Sequence, residues 1–470
     1  MRALSSSGWL RRGLRRGLCV ALPVLVFAGC DKPTRITPRQ GASMPASAAV
    51  SAAASAALSS LSGLSNLGAP ANELSSAVKT VIAPHFVTPL EVASDVASKF
   101  EKSHNAFAFN LYRKLAATQP DGNFVYSPVS LQLALGLLVV GGRGGGENRL
   151  ARVTAPGVKP DHIHEMMQSW QEQLLRSMNS PVQPGVERVG ELKFTNSLWL
   201  DDSVQPNGAF VEKVGQFFGF GVFRAPLRSA SNTGVIAINQ WVGAQTDGRT
   251  TQLLRAVPTT DNAVILNGAY FKTKFASALD SVESEPFNAR TGSKGSVDML
   301  HAVAKIRAVQ TLTYQAVELD LVYGALSLVV LMPMAGSLEG FVRGISPQKW
   351  AQVLSDLEHN KKTVDLHLPK SDLRSRFDNL QNVVGLGGDP MILPFVAPGC
   401  QVSSLSQEST FVLNKEGIEV PSAAGTTMQS GSGPSKEEGA LTVRFDKPYI
   451  FAVTQRLTGA ILYLGQVVAP

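Results

Sequence analysis

The chain has 470 residues, 44% hydrophobic and 17% charged, with a formal net charge of +7. That much apolar material excludes a disordered or coiled-coil protein and suffices for two or three average domains or one large one. Three cysteines exclude a disulfide framework, and no Cys-x-x-Cys spacing offers a structural zinc site.

The positive charge would point to a nucleic acid or a membrane surface if it were spread over the chain, but it is concentrated at the start. Residues 1–16 carry Arg2, Arg11, Arg12, Arg15 and Arg16 and no acid, and the apolar stretch Leu18 to Ala28 is too short to span a bilayer. It closes in Phe27-Ala28-Gly29-Cys30, which resembles a bacterial lipobox. That resemblance implies that residues 1–29 are a lipoprotein signal peptide and that Cys30 is acylated after cleavage; the alternative is a plain secretory signal. Losing five arginines takes the formal charge from +7 to +2, so a nucleic-acid partner loses its main support. The remaining expectation is an extracytoplasmic protein held by lipid to a bacterial envelope membrane, inner or outer. Cys19 leaves with the signal, so Cys400 is the one free thiol and no intramolecular disulfide can form.

From Gly41 to Thr80, 12 of 40 residues are Ala and 10 are Ser, with only Glu73 and Lys79 charged. With few large apolar groups to bury, residues 30–92 read as a low-complexity tether, and a flexible chain of about 60 residues reaches roughly 40 Å. Residues 93–470 read as one domain, without internal repeats. Phe100, Phe107, Leu111 and Leu115 recur at helical spacing and predict a helix over about Ala97 to Ala117. Ser127 can cap the next helix and Pro128 suits its first position; the run Leu131 to Val140 follows until Gly141-Gly142 stops it. Ala263–Phe271, Leu326–Pro333 and Thr363–Pro369 are short β-rich runs, and Leu441–Phe445, Tyr449–Thr454 and Ala460–Val468 read as successive strands. Helices early and strands late predict an α+β fold.

Between the run Thr410–Leu413 and the strand at Leu441 lies a long segment, of which Pro421 to Ala440 reads PSAAGTTMQSGSGPSKEEGA. A loop of that length inside a compact domain is usually functional and is a natural protease target. Its start alternates, with Ile418, Val420, Ser422 and Ala424 on one face and Glu419, Pro421, Ala423 and Gly425 on the other, the period a half-buried strand needs.

Catalytic signatures are missing. Asp161-His162-Ile163-His164-Glu165 looks metal-like, but its context is helical and residues two apart on a helix do not face each other. The other five histidines are scattered singly. There is no Gly-x-Ser-x-Gly elbow and no His-Glu-x-x-His, and the glycine-rich stretch 141–146 follows a helix and lacks the Lys-Ser/Thr of a phosphate loop. The expectation is a non-enzyme with no metal and no cofactor.

The ordered motifs resemble the serpin family over about Ala93 to Pro470. They are Asn123-Phe-Val-Tyr-Ser127-Pro128-Val-Ser130, Phe194-Thr-Asn196-Ser-Leu-Trp199, Ile238-Asn239-Gln-Trp241-Val242, Leu266-Asn267-Gly-Ala-Tyr-Phe271-Lys272, Leu331-Met-Pro333, Leu368-Pro369-Lys370, Phe445-Asp-Lys-Pro448-Tyr449 and Gly459-Ala-Ile-Leu-Tyr-Leu-Gly465. The resemblance implies helices packed around a large, mainly antiparallel sheet with two smaller sheets and an exposed reactive-centre loop. It implies a monomeric suicide inhibitor whose partner is a serine or cysteine protease. The protease cuts the loop, forms an acyl-enzyme and is carried away as the loop inserts into the main sheet. Ser127, Ser130, Asn267 and Gln407 would form the shutter under the opening sheet, and Lys415, Glu416, Gly417, Ile418, Glu419, Val420 and Pro421 the hinge.

This chain departs from the inhibitory pattern: Gln407 stands where the family usually has a histidine, Lys415 where it has an acid, and Ile418, Val420 and Pro421 where it prefers small residues. Pro421 lacks the N–H that a central strand needs, though one unpaired group costs only about 1–3 kcal/mol against many new pairs. A non-inhibitory binding or structural module whose loop is cut without insertion is the competing expectation. Counting the family's usual spacing from Lys415 puts the reactive bond near Gly431-Ser432, and counting back from Phe445 puts it at Lys436-Glu437. Lys436 would suit a trypsin-like protease and Met428 an elastase- or chymotrypsin-like one.

Overall fold

A computed structural model describes residues 77–83 and 94–470, apart from 180–189, 420–438 and short internal runs of up to three residues. Cys30, most of the expected tether, and the loop residues Val420, Pro421, Met428, Gly431, Ser432, Lys436 and Glu437 lie outside the described residues.

The first half contains β1 (Lys79–Ile82), α1 (Ser94–Thr118), β2 (Phe124–Tyr126), α2 (Pro128–Gly141), α3 (Glu147–Thr154), α4 (Pro160–Asn179), β3 (Gly190–Phe194), β4 (Ser197–Asp201), α5 (Gly208–Phe217), β5 (Gly221–Ala225), α6 (Thr233–Gln245) and β6 (Ala263–Lys274). The second half adds β7 (Ser281–Asn288), β8 (Lys294–Gln310), β9 (Tyr314–Asp320), β10 (Leu326–Pro333), α7 (Leu338–Gly344), α8 (Pro347–Glu358), β11 (Lys361–Pro369), β12 (Ser371–Phe377) and α9 (Leu380–Val384). It ends with β13 (Met391–Ile392), β14 (Gln401–Val402), β15 (Ser406–Leu413), β16 (Gly417–Ile418), β17 (Leu441–Arg444), β18 (Tyr449–Gln455) and β19 (Ile461–Val467).

The main sheet has eight strands in the order β1-β5-β4-β6-β16-β15-β12, with β3 added on β6. It is mixed, because β4 runs parallel to β5 and β15 parallel to β6. The two smaller sheets that the resemblance implies are joined into one of nine strands, since the 17-residue β8 pairs with β7 and β11 and, at its far end, with β9. A two-stranded β13–β14 hairpin completes the set.

Strand β1 corrects the tether reading. Lys79 to Ile82 pair antiparallel with β5, Val81 and Ile82 pack on the core, and Lys79 reaches Asp202 at 3.0 Å. The β-branched run Thr80-Val81-Ile82 suits an edge strand, so the folded part begins inside the Ala/Ser-rich stretch.

Helix α2 has no polar face and is buried along its whole length. Its N-terminus is capped by Ser127, whose Oγ accepts the Ser130 N–H at 3.3 Å, and Gly142 ends it by donating to the Leu138 carbonyl. Gly136 lets α4 press close: a Cβ there would lie 2.2 Å from Met167 Sδ. Around α2 the core is continuous with both large sheets. On the opposite face of the main sheet a second cluster forms where α6 covers β4 to β6. Here Trp199 stacks on Phe223 at 4.5 Å and meets Trp241 edge-on at 5.7 Å. The main sheet is thus buried on both faces along β4 to β6.

Candidate functional site: a seam in the main sheet

Two parallel strands, β6 and β15, meet in the middle of the main sheet, but their ladder covers only Ser406–Glu408 against Leu266–Gly268. Beyond Glu408, β15 pairs on its outer side with β12 and β6 on its outer side with β3. The seam has a closed foot and a differently closed head.

The foot is a buried polar network around the start of α2, and it brings together all four expected shutter residues. Gln407 donates through Nε2 to the Ser127 carbonyl at 2.9 Å and to Asn267 Oδ1 at 2.5 Å, while its Oε1 accepts the Ser127 N–H at 3.1 Å. Asn267 Nδ2 donates to Ser130 Oγ and to Asn196 Oδ1, each at 3.1 Å, and also to the Ser130 carbonyl. The Ser130 hydroxyl donates to the Gly268 carbonyl at 2.9 Å, and the Ser127 hydroxyl to the Leu462 carbonyl at 2.9 Å. The sequence reading placed Asn196 only in a motif; its Oδ1 also accepts the Gly268 N–H at 3.2 Å, which makes it a fifth member. All five side chains are almost fully buried, so every donor and acceptor must be met within the network. A glutamine in place of a histidine supplies two donors and an acceptor with no proton to gain or lose.

The head is built from backbone. After β15 the chain turns at Asn414, whose Oδ1 accepts the N–H groups of Glu416 and Gly417 at 2.9 and 3.1 Å. The Lys415 side chain points to solvent, and its carbonyl accepts from Leu279 at 2.8 Å; the Glu416 carbonyl accepts from Phe275 at 2.9 Å. Gly417 and Ile418 then form β16, antiparallel to Leu413 of β15 and to Thr273 and Lys274 of β6. Gly417 is required there, since its φ is 153° and a Cβ would lie 2.2 Å from the Thr273 carbonyl.

The expected alternation breaks at Glu419. Ile418 and Glu419 are 1% and 3% exposed, although they were placed on opposite faces. The reason is Glu419's φ of 55°, a left-handed turn that is uncommon without glycine and that reverses the side-chain direction. Its N–H still donates to the Val412 carbonyl at 2.7 Å. Between head and foot the floor is aromatic: Phe411 stacks on Phe451 at 4.3 Å, and the Tyr463 hydroxyl donates to the Ala269 carbonyl at 2.7 Å. Burial, with the Glu419 carboxylate adding to it, pushes the Tyr463 phenol far above its ordinary range, so it stays a donor.

Elsewhere, His162 is exposed beside Glu165 while His164 faces the Phe217 ring at 4.3 Å, so the two imidazoles do not converge. Cys400 is buried, and burial, followed by the Asp261 charge, pushes its thiol up to about 12. The reading of the remaining histidines as single is corrected for two of them. His301 and His367 face each other across β8 and β11 with ring centroids 4.7 Å apart, beside Asp365. Asp365-x-His367 shows one half of that cluster in the sequence; only strand register adds His301.

The fold is therefore an α+β one whose main sheet is split between two parallel strands, with the chain entering the split antiparallel to both. A family model for the serpins, the serine protease inhibitors, matches residues 102–470, and the chain belongs to that family. Rat thyroxine-binding globulin is 24% identical over 380 residues, covering 77% of this chain and 87% of that protein. An uncharacterized serpin-like protein of Thermococcus kodakarensis is 24% identical over 380 residues, covering 78% and 84%. Among solved structures, the thermophilic serpin tengpin in its native state aligns with a TM-score of 0.68 at 15% identity, covering 84% of this chain and 100% of that one. Human thyroxine-binding globulin bound to its hormone aligns with a TM-score of 0.69 at 22% identity, covering 80% and 99%. These structures share the fold with this chain.

Proposed function

We propose that this chain is a suicide inhibitor of a serine protease, or of a cysteine protease using the same acyl chemistry, tethered by lipid at Cys30 to a bacterial envelope membrane. The observation that carries the reading is β16. A segment that turns straight back from the end of β15 into the gap runs antiparallel to both parallel neighbours, and Gly417-Ile418 already does. Continuing its register would set Val420 between Phe411 and Phe271, Pro421 between Thr410 and Tyr270, and Ala424 between Gln407 and Asn267. Ser422 to Gly425 are small enough to pass the foot, where the Ser406–Glu408 ladder and the Gln407–Asn267 contact must part. Each new ladder bond is worth about 1 kcal/mol, and the one that Pro421 cannot make costs about 1–3 kcal/mol, so insertion remains downhill.

Cleavage within the loop would break one peptide bond, free the amine of the following residue, whose segment stays in the fold through β17, and leave the preceding carbonyl as an ester or thioester of the protease nucleophile. Insertion would then carry the protease away before water resolves the ester. The test is the full chain mixed with trypsin-, chymotrypsin-, elastase- and subtilisin-like proteases and run on a denaturing gel. A band at the summed mass, with loop fragments sized by mass spectrometry, supports inhibition and selects among Met428, Gly431-Ser432 and Lys436-Glu437.

A second reading, a non-inhibitory binding module, is favoured by the thyroxine- and corticosteroid-binding globulins among the relatives and by Pro421. It predicts clean cutting with no such band and no rise in thermal stability. For the anchor, Phe27-Ala28-Gly29-Cys30 is the support. Cys30→Ala should leave the precursor uncleaved or released from membranes, and processed mutant still in the detergent phase would refute the lipid.

A further inference from the structure

Four neighbouring strands, β7, β8, β11 and β17, carry a polar stripe on one face, away from the seam. Register sets His301 opposite His367, Ser281 opposite His301, Thr442 opposite Asp365 and Arg444 opposite His367. The period of two then brings Glu283 and Glu285 of β7 to the same face. His301 Nε2 lies 2.7 Å and His367 Nε2 lies 3.2 Å from the same oxygen, Asp365 Oδ1. The three side chains are only 10%, 9% and 12% exposed. Their three ligand atoms all lie within 4.8 Å of one another. Ligands of a tetrahedral ion bound at about 2.0–2.1 Å sit roughly 3.3 Å apart, near the 2.7 and 3.2 Å between each Nε2 and Asp365 Oδ1.

The opposite edge of His367 is also supplied, and a carboxylate lies near that of His301. His367 Nδ1 is 2.6 Å from Glu285 Oε1, and His301 Nδ1 is 3.7 Å from Glu283 Oε1. A carboxylate behind each imidazole is the usual outer support of metal-bound histidine.

Without a cation the cluster is poorly satisfied. When His301 donates from Nε2 to Asp365, its Nδ1 has no hydrogen-bond partner among the described residues. When His367 donates from Nδ1 to Glu285, its Nε2 lone pair faces the Asp365 oxygen and is met, among the described residues, by Arg444 Nη2 at 3.4 Å. Among the described residues, three carboxylates here face one guanidinium, so fixed negative charge exceeds fixed positive charge.

We propose that His301, Asp365 and His367 bind one divalent transition-metal ion of the zinc class, clamping β8 to β11 next to the strand that follows the loop. Two imidazoles and a carboxylate select zinc-class ions over calcium or magnesium and leave a fourth position for water. On binding, the His301 proton moves from Nε2 to Nδ1, toward Glu283, and both Nε2 lone pairs turn to the metal. Arg444, 38% exposed, withdraws from His367 toward solvent and keeps Glu285.

The full chain, stripped with chelator and dialysed, is titrated with Zn²⁺ by calorimetry and with Co²⁺ by visible absorption. One ion per chain with a dissociation constant on the order of micromolar or tighter, and tetrahedral Co²⁺ bands, are expected. His301→Ala and His367→Ala should each weaken binding by about 100-fold or more, whereas His162→Ala leaves it unchanged. Arg444→Gln keeps all three ligands and should tighten binding severalfold, which decides the matter if the histidine variants fail to fold. No saturable binding, or binding that survives the double histidine variant, or an Arg444→Gln affinity equal to wild type, overturns the proposal.

Discussion

The two ends of the seam are closed by different physics. At the foot, Ser127, Ser130, Asn196, Asn267 and Gln407 hold β6 and β15 together through neutral side chains that leave little unmet. At the head, the closure is one rung of backbone, a tight glycine and a residue in an unfavourable conformation. A side-chain lock resists opening until several bonds break together, while a backbone rung can be extended one residue at a time. In the proposed inhibition, the foot would therefore set the barrier to strand entry and the head its direction.

The largest effect should come from unlocking the foot. Asn267→Ala removes one partner each from the Gln407 amide, the Ser130 carbonyl and Asn196 Oδ1; the carbonyl and Oδ1 keep bonds within the foot, and one Gln407 N–H is left unmet. At about 1–3 kcal/mol for the unmet N–H and about 1 kcal/mol for each other hydrogen bond lost, the uncut protein should lose about 3 kcal/mol in urea unfolding. A loss below about 1 kcal/mol would mean that the foot does not hold the seam.

Because nothing in the foot titrates, acid should weaken the molecule elsewhere. Burial, followed by the nearby Lys213 charge, lowers His164 from its ordinary 6.5 to about 4. The unfolded imidazole gains its proton near 6.5 and the folded one near 4. The contribution of keeping it neutral is therefore whole above pH 6.5 and is lost as pH falls from 6.5 toward 4. The full span is worth up to about 3 kcal/mol, and His164→Gln should flatten that slope while leaving Gln407-dependent unfolding alone. An unaltered slope in His164→Gln would assign the acid sensitivity to another group, with buried His104, also lowered by burial, the first to substitute.

Much of this arrangement was legible in the chain. Ser127 before Pro128 announced the buried helix, and Ser130, Asn267 and Gln407 followed from motif order. What could not be read was set by register and backbone angle. Asn196 joins the foot only because β4 begins right after it with Ser197 opposite Leu266, beside Asn267, and Glu419 leaves the alternating pattern only because its φ is positive, which no periodicity encodes. Strand β1 was hidden by its surroundings, since four strand-forming residues at the end of an Ala/Ser tract carry no signal until an open sheet edge receives them. The His301–His367 pair needed two strands distant in sequence to meet in one register.

At the head, Gly417→Ala tests the close approach. Its Cβ would meet the Thr273 carbonyl and the Lys274 backbone, which have no flexible end to give way. Overpacking of this kind costs about 1–3 kcal/mol, so β16 should detach, and complex formation with a cognate protease should fall in favour of simple cleavage. A variant that partitions like wild type would remove β16 from the entry path.

The finest test separates strain from charge at Glu419. A left-handed non-glycine residue costs roughly 1–2 kcal/mol, and that cost is relieved when the residue becomes extended in a full-length inserted strand. Glu419→Gly removes the cost from the uncut form alone, so it should stabilise the native protein by about 1 kcal/mol and slow insertion, giving more cleaved product and less complex. Glu419→Gln keeps the backbone penalty and discards the carboxylate buried near Tyr463. If strain at the head helps drive entry, Gln partitions like wild type and Gly does not. If the two variants shift the ratio of complex to cleaved product equally, the buried charge and not the backbone biases the hinge, and the difference between head and foot becomes one of electrostatics.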